Sequence, residues 1–119
     1  MTPSRSEDLK IELFDSPAGA QVLKLSGPLT LRTLFEFQDV ARRDAVKPVI
    51  IDLTAVPYMD SAGLGAVISV FASCQRTHRG FGIVGVSERI KTLLEVTHCD
   101  GLLPCYTSTE SAESAIFKA

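Results

Sequence analysis

The chain has 119 residues, a length that suits one domain with its own hydrophobic core, and its 45% apolar and 22% charged content excludes a disordered or fibrous chain. The formal net charge is -2 and the basic residues are scattered, with Arg42 and Arg43 the only adjacent pair, so no footprint for nucleic acid or an anionic membrane is evident. The polar start MTPSRSEDLK lacks an apolar run after its charges, and no stretch approaches the roughly 18 to 20 apolar residues of a membrane span. The expectation is a soluble, cytoplasmic protein without membrane insertion.

In chain order, residues 1–8 read as a flexible tail. LKIELF (Leu9 to Phe14) and QVLKLSG (Gln21 to Gly27) alternate apolar and polar residues around the breaker DSPAGA, which predicts two strands joined as a hairpin. GPLT closes that unit with a Gly-Pro turn. Between Leu31 and Ala45, apolar residues at helical spacing predict an amphipathic helix, stopped by Pro48. VIIDL is short and β-branched, as suits a strand buried on both faces.

Leu64 to Cys74 is apolar or small throughout, and its length favours a helix. FGIVGV (Phe81 to Val86) reads as a strand, and Ser87 can cap the helix SERIKTLLEV. A short strand around Leu102 to Tyr106 and a last helix capped by Ser108 or Thr109 complete the chain. The order β-β-α-β-α-β-α-β-α predicts an α/β domain with a mixed, mostly parallel sheet, the first strand antiparallel and the later crossovers right-handed.

No equipped catalytic site is evident. The glycine-rich dinucleotide loop, the Walker lysine and the His-Glu-x-x-His zinc motif are all missing. SAGLG is no nucleophile elbow, and Asp52 and Asp60 do not form an evident acid/base pair. Three cysteines without Cys-x-x-Cys spacing fit neither a disulfide framework nor a zinc site; buried thiols beside exposed imidazoles are the expectation, with no metal and no cofactor.

The junction YMDSAGLG is more informative. Ser61 falls at the N-cap or first position of a helix, where its hydroxyl can accept from an orphan N–H, and Asp60 competes for that role. Gly63 and Gly65 each cost about 1 kcal/mol relative to alanine inside a helix, which points to close packing, a tight strand-to-helix turn or close approach by another molecule. A helix N-terminus also tolerates a phosphoryl group, whose charge of about -1.5 to -2 can make or break a protein interface.

Val49 to Ile68, VIIDLTAVPYMDSAGLGAVI, resembles the signature of STAS domains, the anti-sigma factor antagonists of bacteria. VLKLSGPLT, and IVGVSERIKTLLEVTHCDGLLPCYTSTESA, resemble the flanking parts of that family, so the likeness spans nearly the whole chain as one STAS-like domain, 1–119. The resemblance implies a non-enzymatic binding switch. An unphosphorylated antagonist binds an anti-sigma factor that is also a GHKL-type serine kinase; phosphorylation of the serine ends that binding, and a PP2C-type phosphatase restores it. By the same resemblance Ser61 is the phosphoacceptor, with Asp60, Ala62, Gly63, Leu64 and Gly65 at the partner surface.

Helical spacing and the adjoining loop add Thr30, Leu31, Ser69 and Ser73 to that surface. Two departures stand out. Gly27-Pro28-Leu29-Thr30 replaces the family's usual Gly-Glu-Leu-Asp, and Ala62 leaves Ser61 as the only hydroxyl in the motif. The altered loop keeps a second reading open, a STAS scaffold or regulatory module of a transporter or signalling complex without Ser61 phosphorylation. A third is a small nucleotide- or anion-binding domain that uses the same helix N-terminus.

Overall fold

The computed structural model describes residues 8–43 and 46–118. Its elements are β1 (Lys10–Asp15), β2 (Gln21–Ser26), α1 (Leu34–Ala41), β3 (Val49–Ala55), α2 (Ser61–Arg76), β4 (Phe81–Val84), α3 (Glu88–Val96), β5 (Cys105–Tyr106) and α4 (Thr109–Ile116). The order of types matches the sequence expectation. Of the tail proposed for residues 1–8, all but Asp8 lies outside the described residues.

The five strands lie in the sheet in chain order. β1 and β2 form the expected antiparallel hairpin, with Lys10 opposite Ser26 and Asp15 opposite Gln21. Its turn is tied by Ser16 Oγ, which accepts from the Ala20 N–H at 2.9 Å, and by Gly19 at φ +103°. β2, β3, β4 and β5 pair in parallel.

Residues of β3 alternate between two apolar layers, as a strand with period two and two covered faces must. Ile51 and Leu53 join Leu23, Leu25 and Ile83 beneath α1, α2 and α3, whereas Ile50 joins Val22, Val84 and Ala112 of α4 on the other side. α4 can come that close because β4 carries Gly82, where a Cβ would sit 3.0 Å from the Tyr106 ring and 3.3 Å from Ala112 Cβ. A second tie anchors α4 one residue further on. Glu113 Oε2 accepts from the Ala18 N–H at 2.9 Å, and a bond from the Ser16 hydroxyl, seconded by this one, holds the Glu113 carboxyl below its ordinary range.

Several boundaries differ from the sequence reading, three of them for a local reason. The helix expected over Leu31 to Ala45 is shorter: α1 starts at Leu34 and ends at Ala41, and residues 44 and 45 lie outside the described ones. Residues 30–33 instead form a turn held by side chains. The Thr33 hydroxyl donates to the Pro28 carbonyl at 2.9 Å and accepts from the Thr30 N–H at 3.0 Å, while Thr30 Oγ1 accepts from the Arg32 N–H at 3.2 Å. Threonine side chains here offer the backbone an alternative to helical bonding.

β4 ends at Val84 rather than Val86, because Gly85 turns into the left-handed region at φ +76° with Thr54 packed against it. β5 is only Cys105–Tyr106, since Leu102 already bonds back to the Cys99 carbonyl in a turn and Pro104 has no N–H to give to the ladder. The helix read from Leu64 to Cys74 extends both ways, from Ser61 to Arg76. The expected caps Ser87 and Ser108 both accept from the N–H three residues on.

The cysteines divide. Cys74 is buried in the main core, and burial pushes its thiol up; Cys99 is half-buried, and Cys105 is exposed rather than buried as expected. His78 and His98 are exposed and take left-handed φ values of 57° and 61° just past α2 and α3.

Candidate functional site

The junction between β3 and α2 is built by two segments that lace together. Along residues 56–60 the side chains of Val56 and Met59 are buried, while Pro57 and Tyr58 face out. Met59 forms a parallel bridge with Leu29 of the GPLT loop. On either side of it the Leu29 N–H donates to the Tyr58 carbonyl at 3.2 Å, and the Asp60 N–H donates to the Leu29 carbonyl at 3.3 Å. The loop that departs from the family pattern is therefore part of the frame beneath the motif.

Asp60 takes the N-cap of α2 in an extended conformation. Its Oδ1 accepts from the Gly63 N–H at 2.8 Å, and its Oδ2 accepts from the Leu31 N–H at 3.1 Å. One carboxylate thus satisfies an orphan donor of the helix and pins the neighbouring loop, which a hydroxyl with a single oxygen does less well.

Ser61 is released from capping. It is the first residue of α2 and is exposed, and neither its hydroxyl nor its N–H makes a hydrogen bond among the described residues; the same holds for the Ala62 N–H. A free hydroxyl stands beside two free amide donors at the positive end of a 16-residue helix. An added phosphoryl group there meets donors as well as a favourable dipole.

The two glycines have different causes. A Cβ on Gly63 would collide with the Leu29 carbonyl oxygen and approach Met59 Cγ to 3.1 Å, so Gly63 is what allows α2 to seat on the loop. Gly65 has nothing within 4 Å of its missing Cβ. No neighbour among the described residues requires glycine at 65. Gly65→Ala is accordingly expected to raise unfolding stability by up to about 1 kcal/mol, read by urea titration, with the added methyl standing on the open surface of the helix. A lower stability than wild type would show that an internal constraint acts there after all.

Among the other residues expected at this surface, Thr30 is half-buried and Leu31 is 62% exposed beside Asp60. Gly63 and Leu64 are buried; their contribution is to seat the helix. Ser69 and Ser73 do not gather around Ser61. They lie ~12 and ~18 Å along the helix, and Ser73 is turned about 120° from Ser61 at 100° per residue. Both line a groove between α1 and α2.

Two exposed aromatic residues near the motif escaped the sequence reading. Phe35 is 70% exposed, one turn on from Leu31, and Tyr58 carries the Arg89 guanidinium 5.5 Å from its ring centroid. For Phe35 the available signal was its position outside the inward stripe of Leu34, Phe37 and Ala41.

The STAS domain family model matches residues 14–112. The chain belongs to the STAS domain family. Among its relatives is the anti-sigma-B factor antagonist of Staphylococcus aureus (strain NCTC 8325 / PS 47). That protein is 32% identical over 91 residues, which are 74% of this chain and 84% of the relative. Among solved structures, an anti-sigma factor antagonist from Mycobacterium paratuberculosis superposes with a TM-score of 0.80 at 22% identity, covering 91% of this chain and 93% of that one.

The Bacillus cell fate determinant SpoIIAA, solved in its phosphorylated form, shares the fold at a TM-score of 0.69 and 14% identity, over 89% of this chain and 99% of that one. The mixed, mostly parallel five-stranded sheet with its four helices is thus a STAS fold. Among the described residues, no helix is long and apolar enough to cross a membrane.

Proposed function

We propose that this STAS domain is a cytoplasmic anti-sigma factor antagonist, and that the state of Ser61 decides whether it holds its partner. Unphosphorylated, it occupies an anti-sigma factor of the GHKL serine kinase type. When that kinase transfers a phosphoryl group, Ser61 Oγ attacks the γ-phosphorus of ATP, the bond to the leaving ADP breaks, and the hydroxyl proton passes to a base of the kinase. A PP2C-type phosphatase resets the switch by hydrolysis.

One observation carries this reading. Asp60 has taken over the cap, so the Ser61 hydroxyl is exposed and without structural employment at the helix N-terminus. The domain itself is not the enzyme in this scheme; it supplies an acceptor and a surface. That surface is apolar where Leu31 and Phe35 stand out, and bare where Gly65 exposes the helix, both suited to close contact by a protein. The names of the S. aureus and M. paratuberculosis relatives agree with this reading.

The test begins with the unmodified protein as bait for an anti-sigma kinase, followed by addition of ATP and Mg²⁺ to the recovered complex. One phosphate on Ser61 by mass spectrometry, none in Ser61→Ala, and dissociation upon addition are expected. Modification at Thr30 or Ser69 in place of Ser61, or a complex that survives stoichiometric phosphorylation, would overturn the assignment.

A further inference from the structure

A second concentration of polar groups lies in the groove between α1 and α2, away from the motif. The groove encloses about 130 Å³ and is lined by Gln38 and Arg42 from the α1 side, by Ser69, Ser73 and Arg76 of α2, and by Arg79 beyond it. Three guanidinium groups share this cleft in a chain whose formal net charge is -2. No carboxylate stands among its lining residues that are described.

Two neighbouring cations outside the cleft are neutralised in place. Arg43 pairs with Asp39 at 3.2 Å and Lys47 with Asp15 at 3.0 Å. Arg42 and Arg76 form no ion pair among the described residues. Arg79 is anchored in the wall: its Nε donates to Thr77 Oγ1 at 2.8 Å, its Nη1 to the Lys47 carbonyl at 3.4 Å and its Nη2 to Ser73 Oγ at 3.4 Å.

Arg42 caps α1 and Arg76 ends α2, where cations complement the helix dipoles. Those dipoles do not cancel the site. Each helix end amounts to about half a negative charge, against the full positive charges of Arg42 and Arg76 beside the anchored guanidinium of Arg79. The hydroxyls of Ser69 and Ser73 and the Gln38 amide add neutral hydrogen-bonding groups.

Size narrows the ligand. Pockets for drug-sized molecules run from about 300 to 1,000 Å³, so a cleft of about 130 Å³ cannot enclose a nucleoside. It has room for one tetrahedral oxyanion, and the guanidinium fork matches such oxygens in pairs. We propose that the α1–α2 groove is a binding site for a phosphate-class oxyanion, held by Arg42, Arg76 and Arg79 with Ser69 and Ser73. The ligand is free phosphate or the head of a small phosphomonoester whose organic part stays in solvent. This site is independent of the Ser61 switch, ~18 Å distant along α2 at Ser73.

The experiment is a ¹⁵N-resolved NMR titration of the full chain with inorganic phosphate, repeated with glycerol 3-phosphate and with sodium chloride at matched ionic strength. Saturable shifts centred on Ser69, Ser73 and the Arg79 Nε–H are expected with both phosphates and not with chloride. Arg42→Gln/Arg76→Gln, two exposed positions, is expected to weaken binding about ten-fold or more, since two charged donors to the anion are lost. Arg43→Gln, outside the cleft, should leave it unchanged. Tighter binding of the monoester would identify a phosphorylated metabolite as the source, and equal binding free phosphate. Shifts that are linear and match chloride, or that persist at wild-type affinity in the double variant with unaltered spectra elsewhere, would overturn the site.

Discussion

Ser61→Asp is expected to weaken binding to the anti-sigma partner by about 100-fold or more while leaving the fold as stable as wild type. The two halves of this result have separate causes. Within the domain, residue 61 is exposed at the first position of α2, where a carboxylate gains about 0.3 to 1 kcal/mol from the dipole and the free Ser61 and Ala62 amides. Repulsion from the neighbouring Asp60 carboxylate offsets part of that gain, so net stability should stay within about 0.5 kcal/mol of wild type.

Within the complex the same carboxylate is taken out of water against a surface that fits a neutral serine. An uncompensated buried charge costs about 3 to 5 kcal/mol, which is more than 100-fold in affinity. Calorimetric titration against the partner gives the affinity, and a urea titration gives the stability. Ser61→Asn separates charge from size: it is nearly isosteric with aspartate and should retain most of the binding. Ser61→Ala should bind as wild type, because the hydroxyl caps nothing. Wild-type affinity in Ser61→Asp would sink the switch, and equal losses in Ser61→Asn and Ser61→Asp would make the site steric rather than electrostatic.

The parts of this molecule that were legible in the sequence are those with a local cause. Ser87 and Ser108 cap their helices through a serine oxygen and an N–H three residues on, a relation written entirely within four letters. The β-branched run of β3 likewise carries its own burial pattern, whereas β1 alternates in sequence yet leaves Leu13 and Phe14 exposed at the edge of the sheet. Asp60 against Ser61 could not be decided that way, because what engages the second oxygen of Asp60 is the N–H of Leu31, 29 residues earlier.

The length of α1 was over-read for a related reason. Leu31 is apolar at helical spacing, yet it stands exposed in the turn that Thr33 ties to the Pro28 carbonyl, a side-chain bond that periodicity does not register. The basic residues looked scattered along the chain, yet the packing of α1 on α2 brings Arg42, Arg76 and Arg79 to one groove. Composition reports how many charges exist and not where the helices carry them.

Gly63 and Gly65 present the same limit in its sharpest form, and the same substitution at each should give opposite results. At Gly63 a methyl group must enter space held by the Leu29 carbonyl oxygen, a backbone atom that cannot rotate away as a side chain does. That carbonyl already accepts from the Asp60 N–H, and the Leu29 N–H is fixed on the Tyr58 carbonyl, so any retreat of the loop breaks the lacing under the motif. Overpacking of this kind costs about 3 kcal/mol, the upper part of its usual range, and the better helix propensity of alanine returns about 1. Gly63→Ala should therefore lose about 2 kcal/mol of unfolding free energy, roughly 5 to 10 °C in Tm, whereas Gly65→Ala gains. Because Asp60 caps α2 through the Gly63 N–H, the displaced helix start also moves Ser61, and partner binding and phosphorylation at that residue should both fall in Gly63→Ala. Paired urea melts of the two variants read the sign directly; a Gly63→Ala protein as stable as wild type would mean that the GPLT loop yields, and that the frame beneath Ser61 is softer than its hydrogen bonds imply.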